Sequence, residues 1–380
     1  MTDVFVVGVG LHKFGRFGEK PADEMGREAV KMALADAGVS WRDIEVAYLS
    51  TMYQAATSAP RILMPLGATG IPVCDVEAAC ASGGVALRQA MLALQAGAHD
   101  LALVLGVEKM PKGFINNWML FEKWQVEMGM SANPSYWAMR AKRHMHEYGT
   151  TEMQIAKVAY KNHKNSVHNP YAMYRKEFSI DEIMHSPLVC DPIHLYEICA
   201  PNEGAAAIVL ASGKKARQLT TRAVRVAACI HCLAQYSGDF RVPRNSMSAT
   251  ITNAGPTTVT AHKAYEAAGI GPNDINCFEV QDTDAFCELE IYEDLGLCPR
   301  GEAGRLIDEG ATASGKYPVN RSGGLICKGE PVGASHLGQL AELTWQLRCQ
   351  AEARQVPGAK TALGQVLGAG GNCVVTILQS

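Results

Sequence analysis

Residues 75–90 read DVEAACASGGVALRQA: a strand-like approach, a turn of small residues around Cys80, and the opening of a helix. The helix continues through MLALQAGAHD into the apolar run LALVLG at 101–106. Residues 329–368, GEPVGASHLGQLAELTWQLRCQAEARQVPGAKTALGQVLG, keep the same order of Gly/Ser-rich turn, long helix and buried strand, with a longer connection. A second pair of segments agrees. Residues 29–50, AVKMALADAGVSWRDIEVAYLS, predict a helix, Gly38 at its left-handed C-cap, and a strand. Residues 262–280, HKAYEAAGIGPNDINCFEV, repeat that order. Ala264, Ala268, Gly269, Ile270, Asp274 and Ile275 match Ala33, Ala37, Gly38, Val39, Asp43 and Ile44 at one constant offset. Internal repetition of this kind marks a duplicated architecture. Near-continuous apolar strands such as LALVLG require helices on both faces of their sheet. The chain therefore reads as two related α/β halves of layered α-β-α build, residues 1–212 and 213–380.

Within the first half, residues 110–192 break the strand-helix rhythm. This insertion is rich in Met, Trp, His, Lys and Arg, and 132–149, ANPSYWAMRAKRHMHEYG, predicts a helix. Long elaborations on a rigid scaffold carry ligand contacts or interfaces. Arg140, Lys142, Arg143, Lys161 and Lys164 read as a solvated basic face.

Composition narrows the function classes. The 380 residues are 48% hydrophobic and 19% charged with a formal net charge of -3, so no global basic field points to nucleic acid or an anionic membrane surface. No apolar run approaches the ~18 residues of a membrane span. The opening MTDVFVVGVGLHKFG lacks the pattern of a cleaved signal and reads as a buried first strand. Twelve cysteines scattered in apolar segments suit reduced thiols in a cytoplasm. Cys229 and Cys232 form a CxxC, but without a second ligand pair it reads as part of a strand rather than a metal site.

The chemistry centres on Cys80. A thiol at a helix N-terminus feels the positive end of the macrodipole, which favours thiolate. Ala81, Ser82, Gly83 and Gly84 are small enough to let a substrate carbonyl approach the backbone N–H groups. The competing reading is a free cysteine buried as a small hydrophobe.

The turn ACASGG resembles the nucleophile turn of the thiolase superfamily, and the likeness extends over essentially the whole chain. EYGTTEMQIAKVAYKNHKNSVHNPYA resembles the insertion of sterol-carrier-type thiolases and their bacterial and archaeal relatives. CAPNEGAAAIVL, YEDLGLCPRGEAG, VNRSGGLICKGEPVGAS and VPGAKTALGQVLGAGG are similar to later family segments, in the right order. The resemblance implies the duplicated five-layered α-β-α-β-α thiolase fold, Cys80 as nucleophile, coenzyme A as co-substrate and no metal in this chain. It also implies a homodimer paired near the nucleophile turn. Relatives with this insertion often work with a small zinc-ribbon/OB-fold protein. FINNWMLFEKWQVEMGMSANPSYW, at 114–137, offers Met, Trp and Tyr residues for such a partner, or for the acyl pocket or the dimer.

Three departures from the family pattern bear on mechanism. Its His-Asp-Cys-Phe stretch is Gln281, Asp282, Thr283 and Asp284 here, and its Gly-His-Pro is Gly329, Glu330 and Pro331. Its Cys-containing glycine turn corresponds to VLGAGG, which has no thiol. The Gln281 amide can still donate to an oxyanion or water. Glu330 can relay the Cys80 proton if burial raises its pKa; otherwise it pairs with a loop lysine such as Lys328. Backbone N–H groups of Gly370 and Gly371 form the second oxyanion pocket that the resemblance implies. Cys287 and Cys327 stand near the altered motifs, but each reads more simply as core.

Three functions follow. One is thiolysis of a β-keto acyl-CoA, or the reverse condensation, through a Cys80 acyl-enzyme, with a branched or aromatic substrate suiting the altered polar groups. Another is retro-aldol cleavage of a β-hydroxy acyl-CoA. The third is non-catalytic carriage of an acyl-CoA or lipid.

Overall fold

The computed structural model describes residues 2–116, 121–219, 222–233 and 255–380. Eleven strands are described: β1 (Val4–Leu11), β2 (Val46–Ser50), β3 (Val73–Val76), β4 (Leu101–Lys109), β5 (Leu188–Cys190), β6 (Ile193–His194), β7 (Glu203–Ser212), β8 (Val224–Cys232), β9 (Cys277–Glu279), β10 (Thr361–Gly368) and β11 (Asn372–Gln379). Nine of them form one sheet in the order β3-β2-β4-β7-β1-β8-β11-β10-β9, while β5 and β6 pair separately. The first five in that order come from the first half of the chain and the last four from the second. They join where β1 pairs antiparallel with β8, over only Phe5↔Arg225 and Val6↔Val224. β1 pairs with β7 along most of its length, which leaves the junction as a narrow seam between two half-sheets.

Helices fill three layers around these half-sheets. The Ala22–Ala37 helix covers the outer face of the first, burying Met25, Ala29, Val30 and Ala33 in a core with Val7, Leu103 and Val209. The Pro256–Ala268 and Ala285–Asp294 helices, with insertion helices Asn133–Tyr148 and Glu152–Ser166, build the outer core of the second. Between the half-sheets lie the Ser82–Gln95 and Val332–Leu347 helices, packed on each other. Fifteen residues of the latter are buried, as a helix covered on all sides requires. The succession helix, sheet, helix, sheet, helix is the five-layered α-β-α-β-α arrangement.

The sequence repeats are visible in the backbone. Gly38 and Gly269 both close their helices in the left-handed region, at φ 67° and 69°. The insertion corrects one expectation. Lys142 and Arg143 pair at the surface with Asp191 and Glu147, and Lys164 lies over the Tyr160 ring. Arg140 and Lys161, however, are not solvated. Arg140 pairs with Glu290 at 2.5 Å and Lys161 with Glu288 at 2.8 Å, both beneath the surface. Their partners sit on the Ala285–Asp294 helix, so these cations fasten the insertion to the second half. Cys229 and Cys232 fall within β8.

Candidate active site

The Cys80 turn is locally tied. β3 ends at Val76, and a short 3-10 turn, Ala79–Ala81, carries Cys80 into the Ser82–Gln95 helix. Ser82 Oγ accepts from the Ala78 N–H at 2.8 Å and donates to the Ala79 carbonyl at 2.6 Å. Ala79 is held at φ 52°, a left-handed conformation costly for a residue with a Cβ and concentrated in proteins at functional turns. Cys80 is 8% exposed.

The opposing turn comes from the second half. Glu330 is fully buried, its N–H donating to the Ala200 carbonyl at 2.9 Å. Gly329 before it has φ 87°, and a Cβ there would overlap the Asn202 amide, so only glycine fits. The Glu330 carboxylate is the hub of the site. It accepts from Gln281 Nε2 at 2.8 Å and from Cys199 Sγ at 3.1 Å. Cys80 and Thr283 stand near enough to it to interact electrostatically. Lys328 does not pair with it; that ammonium goes to Glu279 at 3.1 Å.

Gln281 is built into this cradle more tightly than sequence reasoning expects. Its amide nitrogen donates to Glu330 and to Thr283 Oγ1 at 3.1 Å, and its carbonyl accepts the Leu367 N–H. Asp282, next along, accepts the backbone N–H groups of Leu325 and Ile326 at 2.6 and 3.1 Å and the Asn162 amide at 2.9 Å. These bonds fix the 281–284 segment against the short helix that leads to Glu330.

Burial decides the protonation states. Desolvation and then the Glu330 charge push the Cys80 thiol well above its ordinary pKa. The macrodipole argument for a resting thiolate is thus overridden, because an apolar enclosure and an adjacent carboxylate both oppose the anion. Burial likewise raises Glu330, giving it more affinity for a proton than an exposed carboxylate has.

Of the other expected residues, Gly370 and Gly371 lie in the Ala369–Gly371 turn with φ 78° and 81°. That turn packs against Ala79–Ala81, and Gly368 comes so close that a Cβ would sit 2.6 Å from the Ala78 carbonyl oxygen. Cys287 donates to the Gln281 carbonyl at 3.4 Å, and Cys327 sits 3.5 Å from His163 Nδ1. Neither thiol hydrogen-bonds to the Glu330 carboxylate. Sequence reasoning missed Cys199, whose only signal was its place at the start of CAPNEG, leading into β7. It also missed Tyr53, whose phenol feels Cys80, Glu108 and Glu330.

Beside Cys199 opens a cavity of about 460 Å³ lined by Phe114, His163, Tyr174, Phe178, Tyr196 and Ile326 among others. Phe178 and Tyr196 stack at 4.3 Å, with His163 edge-on to Phe178. Among the described residues, no group of three or more His, Cys, Asp or Glu side chains is arranged to hold a metal.

Comparison with known proteins agrees with this geometry. The Thiolase, N-terminal domain family matches residues 4–214, and the Thiolase C-terminal domain-like family matches 241–380. Human "Sterol carrier protein 2" is 39% identical, the match covering 98% of this chain and 71% of that protein. "Acetyl-CoA acetyltransferase" of Methanothermobacter thermautotrophicus is 37% identical, covering 99% of both. "Benzoylsuccinyl-CoA thiolase subunit BbsB" of Thauera aromatica is 34% identical over 97% of this chain and 95% of that one. Among solved structures, "Ltp2-ChsH2(DUF35) aldolase" superposes with a TM-score of 0.87 at 23% identity, covering 100% of this chain and 98% of that one. Human mitochondrial 3-ketoacyl-CoA thiolase in complex with CoA gives 0.76 at 17%, covering 100% and 98%. The family match and these relatives define an enzyme of the acyltransferase class. The chain belongs to the thiolase family.

Proposed function

We propose that the protein cleaves a β-keto acyl-CoA with coenzyme A, or runs the reverse condensation, through an acyl-enzyme on Cys80. The observation that carries this reading is that the Cys80 thiol and the Glu330 carboxylate are buried near enough for the thiol to feel the carboxylate charge. Glu330 takes the thiol proton, and its raised pKa suits it to do so. The sulfur adds to the keto carbonyl, the bond to the α-carbon breaks, and the acyl group stays on Cys80 until the coenzyme A thiol removes it. Gln281 holds the Glu330 carboxylate in place; both of its amide hydrogens go to Glu330 and Thr283, which leaves none for the oxyanion role its sequence position suggests. The Gly370 and Gly371 backbone supplies donors to the oxyanion. Coenzyme A acts as co-substrate.

A branched or aromatic acyl group fits the ring-lined cavity beside Cys199, and one relative is named for a benzoylsuccinyl-CoA. The halves 1–212 and 213–380 each supply one side of the site. A homodimer is supported by β3: among the described residues it ends the sheet and leaves one edge without a partner strand, and it leads straight to Cys80. A small zinc-ribbon/OB-fold partner is supported by Phe114, Trp124 and Met128, exposed at 50%, 54% and 71%. Tyr136 and Trp137 instead pack inside, and 117–120 of that stretch lie outside the described residues. Twelve free cysteines favour the reducing cytoplasm.

Mass spectrometry after incubation with aryl and alkyl β-keto acyl-CoAs tests the reading. An acyl adduct on Cys80 is expected, and its absence with every thioester tried would overturn the acyl-enzyme. Replacement of the family histidine by Glu330 favours a second reading, retro-aldol cleavage of a β-hydroxy acyl-CoA. That reading requires Cys80→Ala to retain cleavage.

A further inference from the structure

The thiolytic reading leaves one proton unaccounted for. When the carbon–carbon bond breaks, the departing acyl-CoA leaves as an enolate whose α-carbon needs an acid. The glycine turn at 366–371 has no thiol to serve. Cys287 and Cys327 are directed at the Gln281 carbonyl and at His163.

We infer that Cys199 is the second thiol of this site, protonating the α-carbon of the leaving acyl-CoA and drawing its replacement proton from Glu330. Three observations carry this. Cys199 Sγ donates to Glu330 Oε2 at 3.1 Å, and the charge of the same carboxylate reaches Cys80, so a single base serves both thiols. The placement is built rather than incidental. The Cys199 N–H donates to the Thr283 carbonyl, and the next residue's carbonyl receives the Glu330 N–H, each at 2.9 Å. The third observation concerns ligand space. Cys199 lines the aromatic cavity and also a smaller one beside Thr283 and Asp284. Asp284, 1% exposed, has its Oδ2 without a hydrogen-bond partner among the described residues. Buried polar atoms are rarely left unmatched, and an acceptor open beside a thiol at the end of an apolar cavity suits the polar end of a bound substrate.

The proton balance closes without an outside reagent. Glu330 takes the proton of Cys80, and the Cys80 sulfur bonds to the keto carbon. The carbon–carbon bond breaks, its electron pair moves to the α-carbon, and that carbon takes the proton of Cys199. The Cys199 thiolate recovers the proton held by Glu330. One proton has passed from Cys80 to the product. In the second half-reaction Glu330 removes the coenzyme A proton, the coenzyme A sulfur takes the acyl group, and Cys80 leaves as thiolate and is reprotonated by Glu330.

This role rests on the acyl-enzyme reading, and the test separates the two. The parent, Cys199→Ala and Cys199→Ser are compared for thiolysis of benzoylacetyl-CoA and for exchange of the acetyl-CoA methyl protons in D2O. Cys80 acylation is followed by mass spectrometry. Loss of the acid should lower thiolysis by about 10² to 10⁴-fold, the usual span for general acid–base groups. Methyl exchange should be lost as far, while Cys80 is still acylated by a simple acyl-CoA donor. Cys199→Ser, too weak an acid to substitute fully, should fall between. If the parent forms the adduct and Cys199→Ala keeps parental exchange, the role of Cys199 alone falls. If the parent never acylates Cys80, the cleavage reading falls and this role with it.

Discussion

The two halves present equivalent turns to each other, and the turns are built by opposite means. Each precedes a helix of the central layer, Ser82–Gln95 or Val332–Leu347, and each carries one reactive side chain. The Cys80 turn is closed by its own neighbours, with Ser82 bonded to Ala78 and Ala79. The Glu330 turn is closed by distant ones: Ala200, Asn202 and Gln281 come from elsewhere in the chain. A duplicated unit has thus kept its geometry and divided its chemistry. One copy holds a thiol on a turn tied by its own neighbours, and the other holds a carboxylate whose properties are set by what encloses it.

The largest effect should come from the thiol side. Cys80→Ala should lower acyl transfer by about 10⁴-fold or more, as removal of a covalent nucleophile does. Its melting temperature should barely change, since alanine suits a turn of small residues. Full thiolysis in that variant would break the comparison at its root.

Glu330→Gln comes next, with a loss of about 10² to 10⁴-fold and a distinct pH signature. Only the carboxylate can accept the thiol proton. The parental rate should therefore rise with pH along a limb displaced above the ordinary carboxylate value, and the Gln variant should lack that limb. Removing the Glu330 charge also removes a cause of the raised Cys80 pKa, so iodoacetamide should alkylate Cys80 at lower pH in the variant. An unshifted alkylation profile would separate the two turns electrostatically. Stability should move the other way. The folded value of Glu330 lies above the 4.5 of an ordinary glutamate. Above that pH the unfolded chain releases a proton that the folded chain still holds, and folding weakens until Glu330 itself ionises. Glu330→Gln escapes this, so its melting-temperature advantage should grow across that window and then level off.

Smaller effects should come from the scaffold that holds the base. Lys161→Met leaves Glu288 buried and unpaired beside the Asp282 network, and breaking such a pair costs about 3–5 kcal/mol. Urea denaturation should show this loss. Lys142→Ala, which removes only the surface pair with Asp191, should stay within about 0.5 kcal/mol by the same measurement. Equal costs would mean that the insertion is not anchored through its buried cations.

The duplication, the helix ends at Gly38 and Gly269, the family and the Cys80 turn were all legible in the chain. All of these are encoded within one or two dozen consecutive residues, where periodicity and small-residue turns act directly on the backbone. The sequence also singled out Gln281 and Glu330 as departures. What surrounds them is a matter of folding. Whether Glu330 meets Lys328 or two thiols, and whether Arg140 and Lys161 face water, depends on segments far apart in the chain. The thiol-lowering influence of the helix end was legible, and the stronger opposing one was not. Desolvation and a facing carboxylate exist only once the two halves close around Cys80. Cys199 stayed hidden for the same reason: its partner is 131 residues away, and folding alone brings them to 3.1 Å.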